Sequence, residues 1–207
     1  MRIKEYKDNN KSVKTSKNNK TFINMNRENN ECYTRKVDVD KMVFYIKKHK
    51  VVPMNAKIWL PFNDNGSNIM LSLSIFGYKN LIATETDFYD TKIDYDIIIS
   101  NPPFSKRSKL FIKLMEIGKP FILLQPIMFF NNGTCMRILT KHGAKFGGLC
   151  PKNRMTFERN FGFLCPKNNM GFIVNGEEKE RTTSFYSFWL CFGTKITGFK
   201  ALDYENK

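Results

Sequence analysis

The stretch Tyr95-Asp96-Ile97-Ile98-Ile99-Ser100-Asn101-Pro102-Pro103-Phe104 decides how the rest of the chain is read. Its first half is a short apolar β-branched run, the pattern of a strand buried on both faces of a parallel sheet. Its second half stops that strand, because two consecutive prolines lack backbone N–H groups and fix φ. Open α/β sheets bind ligands beyond the carboxyl ends of their strands. A stiff loop carrying an amide and an aromatic ring at such an end is therefore a candidate site, and a simple strand-ending turn is the plain alternative.

The flanking segments supply the company such a strand needs. Val39, Met42, Val43 and Ile46 recur at helical spacing and predict an amphipathic helix ending in a Lys- and His-rich turn before Pro53. Lys57 to Pro61 reads as a strand. After a polar turn, Ser67 to Phe76 reads as a helix closed at Gly77, and Asn80 to Thr84 as a second strand. Beyond the Pro-Pro loop, Ser105 suits an N-cap. Leu110, Phe111, Leu114 and Ile117 mark a helix face ending at Gly118, and Phe121 to Leu124 is another apolar strand. Strands and helices alternating at these intervals predict a doubly wound, mostly parallel α/β sheet of the Rossmann-like type.

The later chain is less regular. Asn131-Asn132-Gly133 reads as a turn, Met136 to His142 as a helix, and Gly147-Gly148 as its breaker. A short duplication follows, Leu149-Cys150-Pro151-Lys152-Asn153-Arg154-Met155 and Leu164-Cys165-Pro166-Lys167-Asn168-Asn169-Met170. Residues 128–183 are accordingly expected to form a small β-rich insertion, a candidate recognition region. Ser184 to Cys191 closes the pattern as an aromatic strand. Residues 1–31 are Lys, Asn and Ser with scarcely a hydrophobic side chain, a composition that cannot offset ordering entropy. They read as a disordered basic arm before a single domain over residues 32–207.

Of 207 residues, 34 are Lys or Arg against 19 Asp or Glu, for a formal charge of +15. That excess points to a polyanionic partner, nucleic acid first. A Lys- and Asn-rich genome inflates Lys, but it does not explain why acids are few. No apolar run is long enough to span a bilayer and the N-terminal stretch is polar, so a cytoplasmic protein is expected. The five cysteines form no Cys-x-x-Cys pair and read as reduced thiols. Cys135, His142, Cys150 and Cys165 match no usual zinc spacing, so no metal is expected.

Methyl transfer to an exocyclic amine needs what Asn101 to Phe104 offer. The adenine amino lone pair is delocalised into the ring. An Asn oxygen and a rigid prolyl carbonyl accepting its N–H groups favour the reactive form, while an aromatic ring stacks on the base. The sequence resembles the S-adenosylmethionine-dependent adenine-N6 methyltransferases, whose motif IV is Asn/Asp-Pro-Pro followed by an aromatic residue. More closely it is similar to a family of small phage and prophage proteins. The matching segments are Trp59-Leu60-Pro61-Phe62-Asn63-Asp64, Asp87-Phe88-Tyr89, Ile98-Ile99-Ser100-Asn101-Pro102-Pro103-Phe104-Ser105, Gly118 to Leu124, Arg154-Met155-Thr156-Phe157 and Ser184 to Cys191.

That resemblance implies a class I methyltransferase-type fold, with Asn101, Pro102, Pro103 and Phe104 as the catalytic loop. It puts Tyr33 and Thr34 near the methionine carboxylate of S-adenosylmethionine. Pro61, Phe62, Asn63, Asp64, Gly66 and Ser67 would wrap the methionine and ribose, Glu85 would take the ribose hydroxyls, and Asp87 and Phe88 would flank the cofactor adenine. The implied substrate is DNA, the implied host compartment the cytoplasm. Lys106, Arg107, Lys109 and Lys113, on the helix after the loop, and Arg154 are the candidate nucleic-acid contacts; a solvated helix face is their plain alternative. Two departures stand out: Leu60 occupies the position of an expected acid, and Arg35 follows Tyr-Thr where related sequences often have Pro. They keep a catalytically silent protein that binds nucleic acid or a host defence factor as the alternative. Enzymes acting on adenine in RNA, or on a Gln amide, share the motif.

Overall fold

A computed structural model of the chain describes residues 32–62, 67–84, 88–90, 92–103, 107–151, 157–159, 173–174, 177–178 and 186–202. The expected arm at residues 1–31, the whole second copy of the duplication, residues 152–155 of its first copy, and Ser105 lie outside the described residues.

Seven strands form the main sheet. In chain order they are β2 (Ile58–Leu60), β3 (Leu81–Ala83), β4 (Ile97–Ser100), β5 (Phe121–Pro126), β6 (Phe146–Pro151), β10 (Ser187–Phe192) and β11 (Gly198–Leu202). Among the described residues four short strands lie outside it: β1 (Cys32–Thr34) pairs with β7 (Phe157–Arg159), and β8 (Ile173–Val174) with β9 (Glu177–Glu178). The sheet order is β11-β6-β10-β5-β4-β2-β3. β10 runs antiparallel to both its neighbours and every other pairing is parallel, so the sheet is mixed but mostly parallel. This arrangement is compatible with a Rossmann-like fold.

Helices cover both faces, and the strand sequences show why. On β4, Ile97 and Ile99 enter one hydrophobic layer and Ile98 the other; Leu124 and Leu123 of β5 divide in the same way. The first layer meets α1 (Lys36–Lys48) and α2 (Asn68–Ile75). The second meets α3 (Arg107–Ile117) and α4 (Gly133–His142) and is rich in phenylalanine. Val39, Met42, Val43 and Ile46 of α1 are fully buried, each contributing roughly 1.5–3 kcal/mol by leaving water. The imperfect alternation of β10 follows from the same two-sided burial, since all six of its residues are inside.

Two helices end in the same hydrogen-bonded motif with different residues at its left-handed position. Beyond α2, Tyr78 N–H donates to Leu73 O and Gly77 N–H to Ser74 O, with Gly77 at φ 97°. Beyond α1, Val51 N–H donates to Ile46 O and Lys50 N–H to Lys47 O, with Lys50 at φ 49°. The Gly77 stop was readable; the Lys50 stop carries no glycine signal.

Several boundaries differ from the sequence reading. Gly147 and Gly148 do not end a helix but lie inside β6, paired with Cys191 and Leu190 of β10 and with Gly198 and Phe199 of β11. α4 starts at Gly133 because Asn132 caps it, its Oδ1 accepting from Thr134 N–H and Cys135 N–H. Of residues 128–183, the part up to Pro151 supplies α4 and the sheet strand β6. Among the described residues, no helix is long and apolar enough to cross a membrane, and no group of three or more His, Cys, Asp or Glu side chains could hold a metal ion.

Candidate functional site

The direction of chain travel across the sheet reverses between β2 and β4, one strand in from the β3 edge. From β2 the chain steps outward to β3, then returns past β2 to β4 on the opposite side. The connections leaving β2 and β4 thus diverge, opening a crevice at their carboxyl ends, where open α/β sheets take ligands. Leu60-Pro61-Phe62 ends β2 there, and Ser100-Asn101-Pro102-Pro103 ends β4. Ile58 opposes Ile97 and Trp59 opposes Ile98, so continuation of the register sets Phe62 level with Asn101.

The Asn101 side chain is part-buried and held. Its Nδ2 donates to Thr34 Oγ1 at 3.3 Å. Thr34 is itself only 4% exposed. Its carbonyl accepts from Asn68 Nδ2 at 2.9 Å, at the start of α2, and its backbone pairs with Phe157 across β1 and β7. The loop after β4, the segment before α1, the first turn of α2 and the returning strand β7 thus converge on one point. Pro102 is buried and Pro103 part-buried. Gln125 lies two residues beyond Leu123, the partner of Ser100, hence level with Pro102. Its Oε1 is buried with no hydrogen-bond partner among the described residues, and so is Ser187 Oγ on the opposite face of the sheet, each at a cost of about 1–3 kcal/mol.

The expected cofactor residues fall around the same crevice where they are described. Pro61 and Ser67 are buried and Phe62 is part-buried. Ser67 caps α2, its Oγ accepting from Met70 N–H at 3.3 Å, and the first turn of α2 holds no acidic residue. The positive end of that helix is therefore not neutralised by a carboxylate of its own. Phe88 is 3% exposed, stacked on Trp59 with centroids 5.3 Å apart and tilted against Phe62 at 5.3 Å. Its ring belongs to the core, and the part-exposed rings of Phe62 and Tyr89 lie beside it. Leu60 is fully buried in the layer under α1 and α2. Arg35 adopts φ −60° as the N-cap of α1, an angle proline also has, and pairs with Asp38 at 3.5 Å. Asn63, Asp64, Gly66, Glu85, Asp87, Phe104, Lys106 and Arg154 lie outside the described residues, as does any side-chain detail of Tyr33.

The described basic candidates differ among themselves. Lys109 is exposed, its Nζ 4.2 Å from the centroid of the Tyr89 ring. Lys113, one turn further along α3, approaches Glu116 at 3.9 Å in a solvent-screened pair. Arg107, at the start of α3, is half-buried, and burial lowers its pKa. Its neighbour Cys135 is buried, with its thiol pKa raised by burial despite the nearby guanidinium.

Sequence reasoning missed Asn68, whose Nδ2 holds the Thr34 carbonyl. No local pattern marks it, because it matters through a partner that is distant in the chain. No protein-family model matches this chain, and no curated protein matches its sequence.

Proposed function

We propose that the protein transfers a methyl group from S-adenosylmethionine to the N6 amine of adenine in DNA. The observation that carries this reading is the place of Asn101-Pro102-Pro103, at the carboxyl end of β4 on the edge of the crevice between β2 and β4. An acceptor amine bound there finds the Asn101 Oδ1 and the Pro102 carbonyl as two acceptors for its N–H groups. Drawing those hydrogens out of the base plane would return lone-pair density to the nitrogen for in-line attack on the methyl carbon, whose bond to sulfur would break to leave the neutral thioether, while the methylated amine would give up one proton through its hydrogen-bond acceptors to water. Phe104, the next residue of the motif, supplies the stacking surface. In a duplex the base has to be flipped out to reach this loop.

The chain offers a fitting seat for the cofactor on the other side of the crevice. The N-terminus of α2, whose first turn holds no acidic residue, suits the carboxylate of the methionine moiety. Thr34, Pro61, Phe62 and Ser67 lie near that corner, and the resemblance adds Asn63, Asp64, Gly66, Glu85 and Asp87. When bound, S-adenosylmethionine supplies an electrophilic methyl on a sulfonium, so the chain needs no strong base to activate the amine. The net charge of +15 favours a nucleic-acid substrate, with Lys109 and Lys113 on α3 next to the loop to meet phosphates.

A second reading is a catalytically silent nucleic-acid-binding protein on the same scaffold. It is favoured by Leu60, an apolar residue locked in the core at the end of β2, where a cofactor-holding acid is expected. Calorimetric titration with S-adenosylmethionine separates the two. The methyltransferase reading predicts saturable binding, and heat indistinguishable from dilution at millimolar cofactor would leave the silent reading.

A further inference from the structure

We infer that an aromatic patch between the carboxyl end of β5 and the edge strand β11 is a stacking platform for an unpaired nucleic-acid strand. This rests on the reading of nucleic acid as the partner and adds the form in which that partner is held. Phe199 of β11 is 61% exposed, and Tyr186, just before β10, is 49% exposed. Ile127 N–H donates to Tyr186 O at 2.7 Å, and the Ile127 side chain is exposed as well. Ile127 and Phe130 stand three apart in the 3-10 turn Ile127–Asn131, which puts them on one side of it. Phe130 stacks on Phe188 with ring centroids 5.2 Å apart. Phe199 meets those two rings at 6.1 Å and 6.0 Å, tilted by 65° and 60°, so they brace it and leave most of the ring in water. Gly148 makes room for that ring, since a Cβ there would come within 2.6 Å of Phe199 Cδ1.

The charge around the patch selects a polyanion over a protein or a second copy of this basic chain. No Asp or Glu occurs between Glu116 and Glu158, or between Glu180 and Asp203. Those stretches supply β5, the 3-10 turn, α4, β6, β10 and β11. Arg137 and Lys141 on α4, Lys195 before β11 and Lys200 within it are exposed. Basic groups for phosphates together with open aromatic rings for bases are how single strands are bound without sequence readout, because every base has a π-face. A duplex keeps those faces inside its own stack. Ser100 is the register partner of Leu123, so continuation sets Pro126 level with Pro103, and Ile127 follows directly. The platform therefore starts one strand over from the Asn101 loop, and a base delivered from it needs no flipping out of a duplex.

The test is fluorescence anisotropy on the full-length protein with labelled oligodeoxythymidylate of about 16 nucleotides and an abasic strand of the same length. The first probe contains no adenine, so its binding is read apart from methyl transfer. It should bind at least about tenfold more tightly than the abasic strand. Phe199→Ala should weaken it roughly tenfold without changing abasic binding or the salt dependence, and Phe199→Trp should keep wild-type affinity. Tyr186→Ala should act in the same sense, so that a local packing defect at one ring does not decide the result. Arg137→Gln with Lys141→Gln should weaken both strands alike and flatten the salt dependence. Equal affinity for the two strands would overturn the inference, as would wild-type binding by both alanine variants. A dimer in sedimentation that Phe199→Ala dissociates would also overturn it, by giving the patch to a second copy. Ring-dependent binding by a protein that transfers no methyl group would sink the methyltransferase reading alone. Adenine methylation with ring-independent binding would sink the platform alone.

Discussion

Gly147 and Gly148 stand side by side in β6 and differ in what a methyl group would strike. At Gly147 it would lie 2.8 Å from the Ile196 carbonyl carbon and closer to its oxygen, against backbone that leads into β11. At Gly148 it would lie 2.6 Å from Phe199 Cδ1, part of a ring that is 61% exposed and able to swing outward. Gly147→Ala should therefore destabilise by about 1–3 kcal/mol, through a strained approach of β11, while Gly148→Ala should cost clearly less. Equilibrium denaturation reads both; equal costs would mean that backbone proximity is not what selects glycine here. In the sequence this pair reads as a breaker because Gly-Gly is locally a turn signal. The reason for it is a close approach by residues some 50 positions later, about which a local pattern carries no information. Thr34 makes the same point at the site: its hydroxyl could be placed near a ligand by resemblance, but its bond to Asn101 is a product of the fold.

At the scale of elements, Asn132 joins two helices that the sequence leaves separate. Its Oδ1 caps α4 while its Nδ2 donates to Ser108 Oγ on α3 at 2.9 Å. Asn132→Ala should cost about 1–2 kcal/mol, in the upper range for a lost N-cap, because the α3 contact goes with it. Asn132→Asp should keep the cap and lose only the donor to Ser108, with a smaller fall in Tm; equal falls would assign the whole effect to the interhelix bond. Elements with a strong apolar period were legible. α1 was marked by Val39, Met42, Val43 and Ile46, all fully buried, and β4 by its run of isoleucines. The strands β1 and β7 were not, since three residues each give no period and their pairing spans most of the chain. That pairing is what brings the segment after β6 back to Thr34.

At the scale of the whole molecule, the alternating order of strands and helices gave the α/β class, but not on which side of β2 each later strand would dock. The docking of β3 on one side and β4 on the other creates the crevice, and it puts the Asn101 loop at its edge. The candidate site was thus half legible: the chemistry of Asn-Pro-Pro-Phe is written in four adjacent residues, whereas its setting depends on sheet topology and on Thr34 and Asn68. Whether this setting serves methyl transfer to adenine is decided by the nature of the product. Unmethylated DNA incubated with the protein and S-adenosylmethionine would be digested to nucleosides and analysed by mass spectrometry. The prediction is N6-methyl-2′-deoxyadenosine with the wild type and none with Asn101→Ala. A protein that binds the cofactor yet leaves adenine unmodified, or places the methyl group on another base, would contradict it.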